Sequence, residues 1–304
     1  MAQGNARPDG AVSADPPPPP SLAPGSPAPI STLIQAQRAA LSRGDVKALV
    51  GLLAPAAFGF GADADEVAEG RDAIEAQVRQ DLGDLARDDA SAAIRYQAVG
   101  EERGHAWIAL ELEVSAPGTT PRKLAITELA AWVGGAWTVV AWHWATPVLD
   151  ETAARMTALG TKPSPKAVAS VLTGPKDLEA AVRAAFGSRE GFAAARSDHE
   201  HGFNFGSGPK ERIVGGAAIK RVFGKLRAGI RLHDGVRIVA GGAWDPAQKD
   251  APTVAFAAAN VDFTTKTRAA TDLTQTFRVL AILLKEDGAW KVVQTQWSHG
   301  GPIR

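Results

Sequence analysis

The densest run of side chains able to do chemistry is Asp198-His199-Glu200-His201. On an extended strand His199 and His201 would point the same way, because side chains alternate between the two faces. Two imidazoles on one face with a carboxylate nearby are the beginning of a divalent-metal site, but no third ligand follows at strand or helix spacing. No metal is therefore expected, and His199 and His201 remain the residues on which one would have to be built. The bland alternative is a polar entry into the strand that holds Phe203. His143, between Trp142 and Trp144, and His299, after Trp297, are the other imidazoles near strand ends. The chain has no cysteine, which removes disulfides, thiolate nucleophiles and zinc-thiolate sites together. Gly59-x-Gly61 lacks the Lys-Ser/Thr that a phosphate loop needs. Asp63, Asp65 and Glu66 offer too few oxygens for calcium and read as a solvated turn.

The elements that must position these groups are written twice. At an offset of 145 residues, as from Phe58 to Phe203, Ser31 to Asp81 lies over Lys176 to Leu226 without a gap. Phe58/Phe203, Phe60/Phe205, Gly61/Gly206, Glu66/Glu211, Gly70/Gly215 and Ile74/Ile219 match. A second block, Gly134 to Pro147 over Asp287 to Gly300, matches at an offset of 153, which places an insertion within Gly241 to Ala251. Each copy opens with helical patterns, Leu33–Ser42 then Asp45–Leu53, and Leu178–Gly187 then Glu190–Ser197. The Phe-x-Phe pair has the period that puts both rings on one sheet face. A third helix begins near Asp72 and Ala217. Strand-like stretches follow at Ala92–Val99, His105–Val114, Arg122–Val133 and Trp137–Ala145, and again at Val236–Ala240, Thr253–Phe263, Thr274–Lys285 and Trp290–Trp297. Asp287-Gly288 is a hairpin signal. The fold class expected is α+β: two tandem cone-shaped barrels, each with about three N-terminal helices on a curved antiparallel sheet.

This order, with Phe-x-Phe-Gly, a following Glu, a Gly before an Ala-Ile helix and a late Gly-x-Trp-x-Val-Val strand, resembles the SnoaL-like branch of the nuclear transport factor 2-like superfamily. The resemblance covers residues 31–148 and 175–304, with 1–30 as a Pro-rich disordered tail and 149–174 as a linker carrying a short helix. It implies a pocket in each cone, with the last strand ending at the pocket rim, so Trp142, His143, Phe60, Phe205, Gln296 and His299 are candidate pocket residues. It also implies pairing through the outer sheet face, here as an internal pseudo-dimer of the two copies. The alternation Thr274, Thr276, Arg278 or Leu280, Ile282, Leu284 suits either a buried interface or solvent. Glu66 and Glu211 are expected to brace the loop. The isomerase version of the family needs a carboxylate base and a Tyr/Asp oxyanion pair. No carboxylate stands at Phe60-Gly61 or Phe205-Gly206, and Tyr96 is the only tyrosine.

Two function classes follow. The first is a non-catalytic binding or accessory protein for a small amphipathic molecule, needing no cofactor; the lack of a paired base and stabiliser leans this way and away from an enzyme. The second is a hydrolase, dehydratase or isomerase acting from the second copy through Asp198, His199, Glu200, His201 and His299. Lys plus Arg and Asp plus Glu are equal at 33 each, so no summed charge draws the chain to nucleic acid. No apolar run reaches the roughly 18 residues of a spanning helix. The expected location is cytoplasmic for the sequence as written, or periplasmic or exported if a signal peptide preceded the Pro-rich tail.

Overall fold

The computed structural model describes residues 28–61, 66–81, 91–115, 117–149, 152–153, 171–225, 230–232, 236–244, 252–266 and 272–299. The Pro-rich tail up to residue 27 and most of the linker expected at 149–174, with most of its short helix, lie outside them.

The first half runs α1 (Ser31–Ser42), α2 (Val46–Gly51), β1 (Leu53–Phe60), β2 (Val67–Glu69), α3 (Arg71–Asp81), β3 (Ser91–Glu102), β4 (His105–Ser115), β5 (Arg122–Val133) and β6 (Ala136–Ala145). The second runs β7 (Val171–Thr173), α4 (Lys176–Gly187), α5 (Arg189–Ala194), β8 (Phe203–Phe205), β9 (Arg212–Val214), α6 (Gly216–Gly224), β10 (Ile230–Leu232), β11 (Arg237–Ala243), β12 (Val254–Lys266), β13 (Asp272–Glu286) and β14 (Ala289–His299). The sheet orders are β2-β1-β6-β5-β4-β3 and β9-β8-β14-β13-β12-β11-β7, with β10 also on β12. Apart from β7, which pairs parallel with β11 from within the expected linker, the second order repeats the first. The chain is thus two tandem α+β cones. Among the described residues no helix is long and apolar enough to cross a membrane.

Local chemistry explains the repeated letters. Asp45 and Ser188 cap the second helix of each half, accepting from Ala48 N and Gly191 N at 2.9 Å each. After each Phe-x-Phe the chain passes so close to the following Glu that a Cβ on Gly61 or Gly206 would lie 2.3 Å from a Glu66 or Glu211 carboxylate oxygen. Only glycine fits there. Glu211 braces its loop as expected, accepting from Gly208 N at 3.0 Å. Arg71, at the start of α3, donates to Leu53 O at 3.0 Å and ties that helix to β1. Gly70 and Gly215 hold φ near +86° and +87° at the turn into the third helix, a region that disfavours a side chain. Asp287 and Gly288 both have positive φ, 47° and 80°, as the hairpin signal requires.

The gap-free alignment of the first blocks conceals two slips that cancel. α2 and α5 are offset by 143 residues rather than 145 and stop at Gly51 and Ala194, short of the expected ends. Leu53 pairs with Val139 and Phe58 with Ala141, whereas Arg196 bridges Val292 and Phe203 pairs with Gln294. Residues 196–203 therefore hold two more residues than the matching 53–58. Leu53, not Gly51, is the structural counterpart of Arg196, and the Asp198–His201 run has no one-to-one partner in the first half.

The central strands of each sheet, β5 and β6 in the first and β12 to β14 in the second, are buried on both faces over most of their length. One face meets its own helices, as where Gln37 of α1 bonds Glu128 of β5 at 2.7 Å. The other face meets the other half. Phe256, Leu280, Ile282 and Leu284 are buried in one cluster with Phe58 and Phe60, and Phe203 and Phe205 cluster with Ala109 and Ala125. Phe58 stacks on Phe256 at 5.7 Å and Phe203 on Tyr96 at 5.9 Å. Gln294 Nε2 donates to Ile108 O at 2.8 Å and Gln296 Nε2 to Ala125 O at 2.9 Å. In the other direction Trp107 Nε1 donates to His201 O at 2.8 Å. Arg278, 1% exposed, lies 4.2 Å over the Phe60 ring and donates to Gly61 O and Glu66 O at 3.1 and 2.7 Å. Arg278→Met keeps the apolar stem but strands the Gly61 carbonyl and takes one of two donors from Glu66 O, which keeps the Gly61 N–H at 2.9 Å. It should cost about 3 kcal/mol, read in differential scanning calorimetry as a fall in Tm of about 6–12 °C.

Candidate functional site

The Asp198–His201 run is a turn at the junction rather than a strand entry. Arg196 bridges Val292, Ser197 N–H donates to Val292 O at 3.0 Å, and the chain re-enters a strand only at Phe203. The His199 ring meets the edge of Trp107 at 4.9 Å, and its Nδ1 accepts from His201 N–H at 3.1 Å. Asp198 pairs with Lys220 at 2.5 Å, while Glu200 and His201 are exposed. Among the described residues no three His, Cys, Asp or Glu side chains are grouped to hold a metal ion. His299 is not brought to this turn. It lies five to seven residues beyond the Val292–Gln294 level of β14, roughly 16–23 Å along the strand. There its Nε2–H donates to Val148 O at 3.2 Å.

Four of the other candidate pocket residues sit between the halves. His143 shares a hydrogen bond with Ser298 Oγ at 3.0 Å and packs edge-on to Phe60 at 5.4 Å. Burial first, and then the nearby Arg278 guanidinium, hold its pKa well below the usual histidine value, so the ring is neutral. Phe60 lies under Arg278, Phe205 is in the Ala109–Ala125 cluster, and Gln296 bonds across to β5. Trp142 alone of these faces the inside of a cone, paired with Glu128 across β5 and β6.

The two interiors differ. In the first, Glu128 is 2% exposed and accepts from Gln37 Nε2. Burial pushes its pKa up to about 7, with the Gln37 hydrogen bond opposing the rise. Among the described residues Gln37 Oε1 and Trp142 Nε1 have no partner. In the second, the matching cross-strand pair is Ala281 and Thr295, and the interior opens into a cavity of about 390 Å³. Phe192, Phe223, Phe263, Phe277 and Trp297 form its apolar wall, Asn204 lies among them, and the loop from Gly206 to Ile213 forms the rest. Arg196 stands behind this wall, 2% exposed, its guanidinium 4.7 Å over the Phe223 ring and its Nη1 donating to Thr295 Oγ1 at 2.9 Å. Burial lowers its pKa to about 9, which leaves it charged at neutral pH.

With this geometry in place, the sequence profile of the SnoaL-like domain family matches residues 30–148. The first half is a SnoaL-like domain. No curated protein matches the chain. Similar solved structures include an NTF2-like protein of unknown function from Pseudomonas putida KT2440, 19% identical, covering 40% of this chain and 87% of its own, with a TM-score of 0.37. An uncharacterised protein with a cystatin-like fold from Caulobacter vibrioides is 18% identical over 43% of this chain and 94% of its own, with a TM-score of 0.34. A protein of unknown function with a cystatin-like fold from Nostoc punctiforme is 15% identical over 40% and 92%, again at 0.34. Apart from the added β7 and β10, the second half repeats the SnoaL-like domain's sheet order.

Glu128, Gln37, Arg196, Asn204 and Thr295 are the interior polar groups that sequence reasoning passed over. Glu128 had a signal, since it falls in the alternation Leu124, Ile126, Glu128, Ala130 of the SnoaL-like domain. Arg196 had none, because it follows a short helix and precedes a more conspicuous polar run. The raised pKa of Glu128 has a stability consequence. The native state holds its proton more tightly than the unfolded state, so stability falls as pH rises from about 4.5 to about 7 and stays lower above that. Glu128→Gln should flatten that slope and gain on the order of 3 kcal/mol over wild type at about pH 8, read from urea unfolding at about pH 5 and about pH 8.

Proposed function

We propose that the chain is a small-molecule-binding protein whose site is the second-half cavity, and that the two halves form an internal pseudo-dimer. The units are 31–148 and 175–304, with β7 adding an edge strand to the second. The observation that carries the binding reading is the cavity itself. Its volume is in the range of small-ligand sites, and its lining sets five aromatic rings against a polar side, the combination that holds an amphipathic molecule and orients it. The pairing is supported by reciprocity. Phe60 packs on Arg278 while Phe205 clusters with Ala125, and these residues are counterparts at the two repeat offsets. Such exchange of equivalent contacts is what a two-fold interface produces.

One observation favours an acid–base function instead: the Glu128 carboxyl, with a pKa of about 7, is suited to exchange a proton near neutrality. It stands in the first half, whereas the acidic residue on the second-half cavity lining, Glu211, is committed to Gly208 N. A catalytic role therefore belongs with Glu128 and Gln37 rather than with His199, His201 and His299.

The binding reading is tested with N-phenyl-1-naphthylamine, a neutral aromatic probe. One probe per chain should bind, with tryptophan fluorescence transferred to it from Trp297. At a hundredfold excess over Kd it should add about 2.7 kcal/mol of stability. Ile213→Trp, which fills the cavity, should abolish the signal while leaving unliganded Tm within a few degrees of wild type. Probe uptake that never saturates, or that survives in Ile213→Trp, would sink the proposal.

A further inference from the structure

We infer that the ligand of this cavity is an anion, a small amphipathic carboxylate whose acid group is received by the Asn204 amide with Arg196 behind it. The inference rests on the binding reading above and names the class of ligand.

The orientation of Asn204 is settled by its partners. An indole N–H can only donate. Trp297 Nε1 lies 3.2 Å from one terminal atom of the Asn204 amide, so that atom is the oxygen. The same oxygen accepts from Thr295 Oγ1 at 2.7 Å. With Oδ1 held from both sides, Nδ2 is left as the end of the amide available to the cavity that Asn204 lines, and no described residue accepts from it. The cavity therefore presents two N–H donors among aromatic rings, and it calls for an acceptor.

The charge behind the amide makes that acceptor an anion. Arg196 donates to Thr295 Oγ1, and the Thr295 hydroxyl donates in turn to Asn204 Oδ1. All donors in this relay point the same way, so each bond polarises the next and the amide N–H groups at its end become stronger donors. Arg196 has no counter-charge: among the described residues no carboxylate pairs with it, and its Nη2 is buried without an acceptor. An unpaired buried cation is costly. The repeat shows that the fold does not demand it, since its structural counterpart in the first half is Leu53. On the lining loop Lys210 stands beside Glu211, and Arg212 is paired with Glu111 at 3.0 Å, so the charge aimed at the ligand is that of Arg196. A carboxylate on Asn204 would supply the missing negative charge while its apolar body lies against Phe263, Phe277 and Trp297.

The test compares 1-naphthylacetate with 1-naphthylacetamide, near-isosteres that differ in charge, as competitors against bound N-phenyl-1-naphthylamine at neutral pH. The acid should compete at least about tenfold better in wild type, as expected of a charge-assisted contact. Arg196→Met should remove that preference by weakening the acid and leaving the amide unchanged. Asn204→Asp is the second variant, because an aspartate oxygen still accepts from Thr295 and Trp297 and so spares the packing. It should reverse the preference in favour of the amide. If the probe binds wild type and the two competitors are equal, or if both variants keep the preference for the acid, the anion inference falls and the binding reading survives. If the probe does not bind at all, the binding reading falls and takes this inference with it.

Discussion

The central strands of each curved sheet are apolar on both faces and have helices for only one of them. β13 shows the difficulty: from Val279 to Leu283 no side chain is more than marginally exposed, so odd and even residues alike are buried. A strand of that composition cannot leave one face in water without losing the burial that holds it, at about 25 cal/mol for each Å² of apolar surface. The second face is therefore closed by the other half of the chain. The stacking of Phe58 on Phe256, the seat of Arg278 over Phe60 and the neutral state of His143 all follow from that closure.

Once the outer faces are spent on each other, the interiors are free to diverge. The cross-strand position that carries Glu128 and Trp142 in one half carries Ala281 and Thr295 in the other. Where the first half has Leu53 against its last strand, the second has Arg196. One interior thus holds a buried acid and the other a buried base, within the same sheet order. The acid is satisfied by gaining a proton, since its pKa stands near neutrality. The base cannot be satisfied that way, because guanidinium at a pKa of about 9 keeps its charge.

The architecture was legible because the residues that define it are local. A Phe-x-Phe period, a turn glycine crowded by the following Glu, a positive-φ Gly before a helix and an Asp-Gly hairpin each act within a few residues, so the repeat reported them faithfully. The site was not legible, for two physical reasons. In a sheet buried on both faces the polar/apolar alternation vanishes. Nothing in the sequence then says which parity looks into a cone and which into the junction, and Phe60, Phe205, His143 and Gln296 were read as lining pockets. Arg196 was lost to the two cancelling slips, which restored the offset of 145 just beyond it and aligned it with Gly51 instead of Leu53. Glu128 is the intermediate case: its alternation was visible, but its depth depended on a face that only the fold assigns.

The polar contacts across the junction are mostly between a side chain on one half and a backbone carbonyl on the other. Gln294, Gln296 and Arg278 give protons to Ile108, Ala125, Gly61 and Glu66, and Trp107 to His201. A carbonyl is present whatever residue bears it. Drift on the accepting side changes size but never chemistry, while drift on the donating side removes the bond outright. Correlated substitution, which needs two side chains that answer one another, has little to register at such a seam, so this junction is hard to detect by comparing sequences.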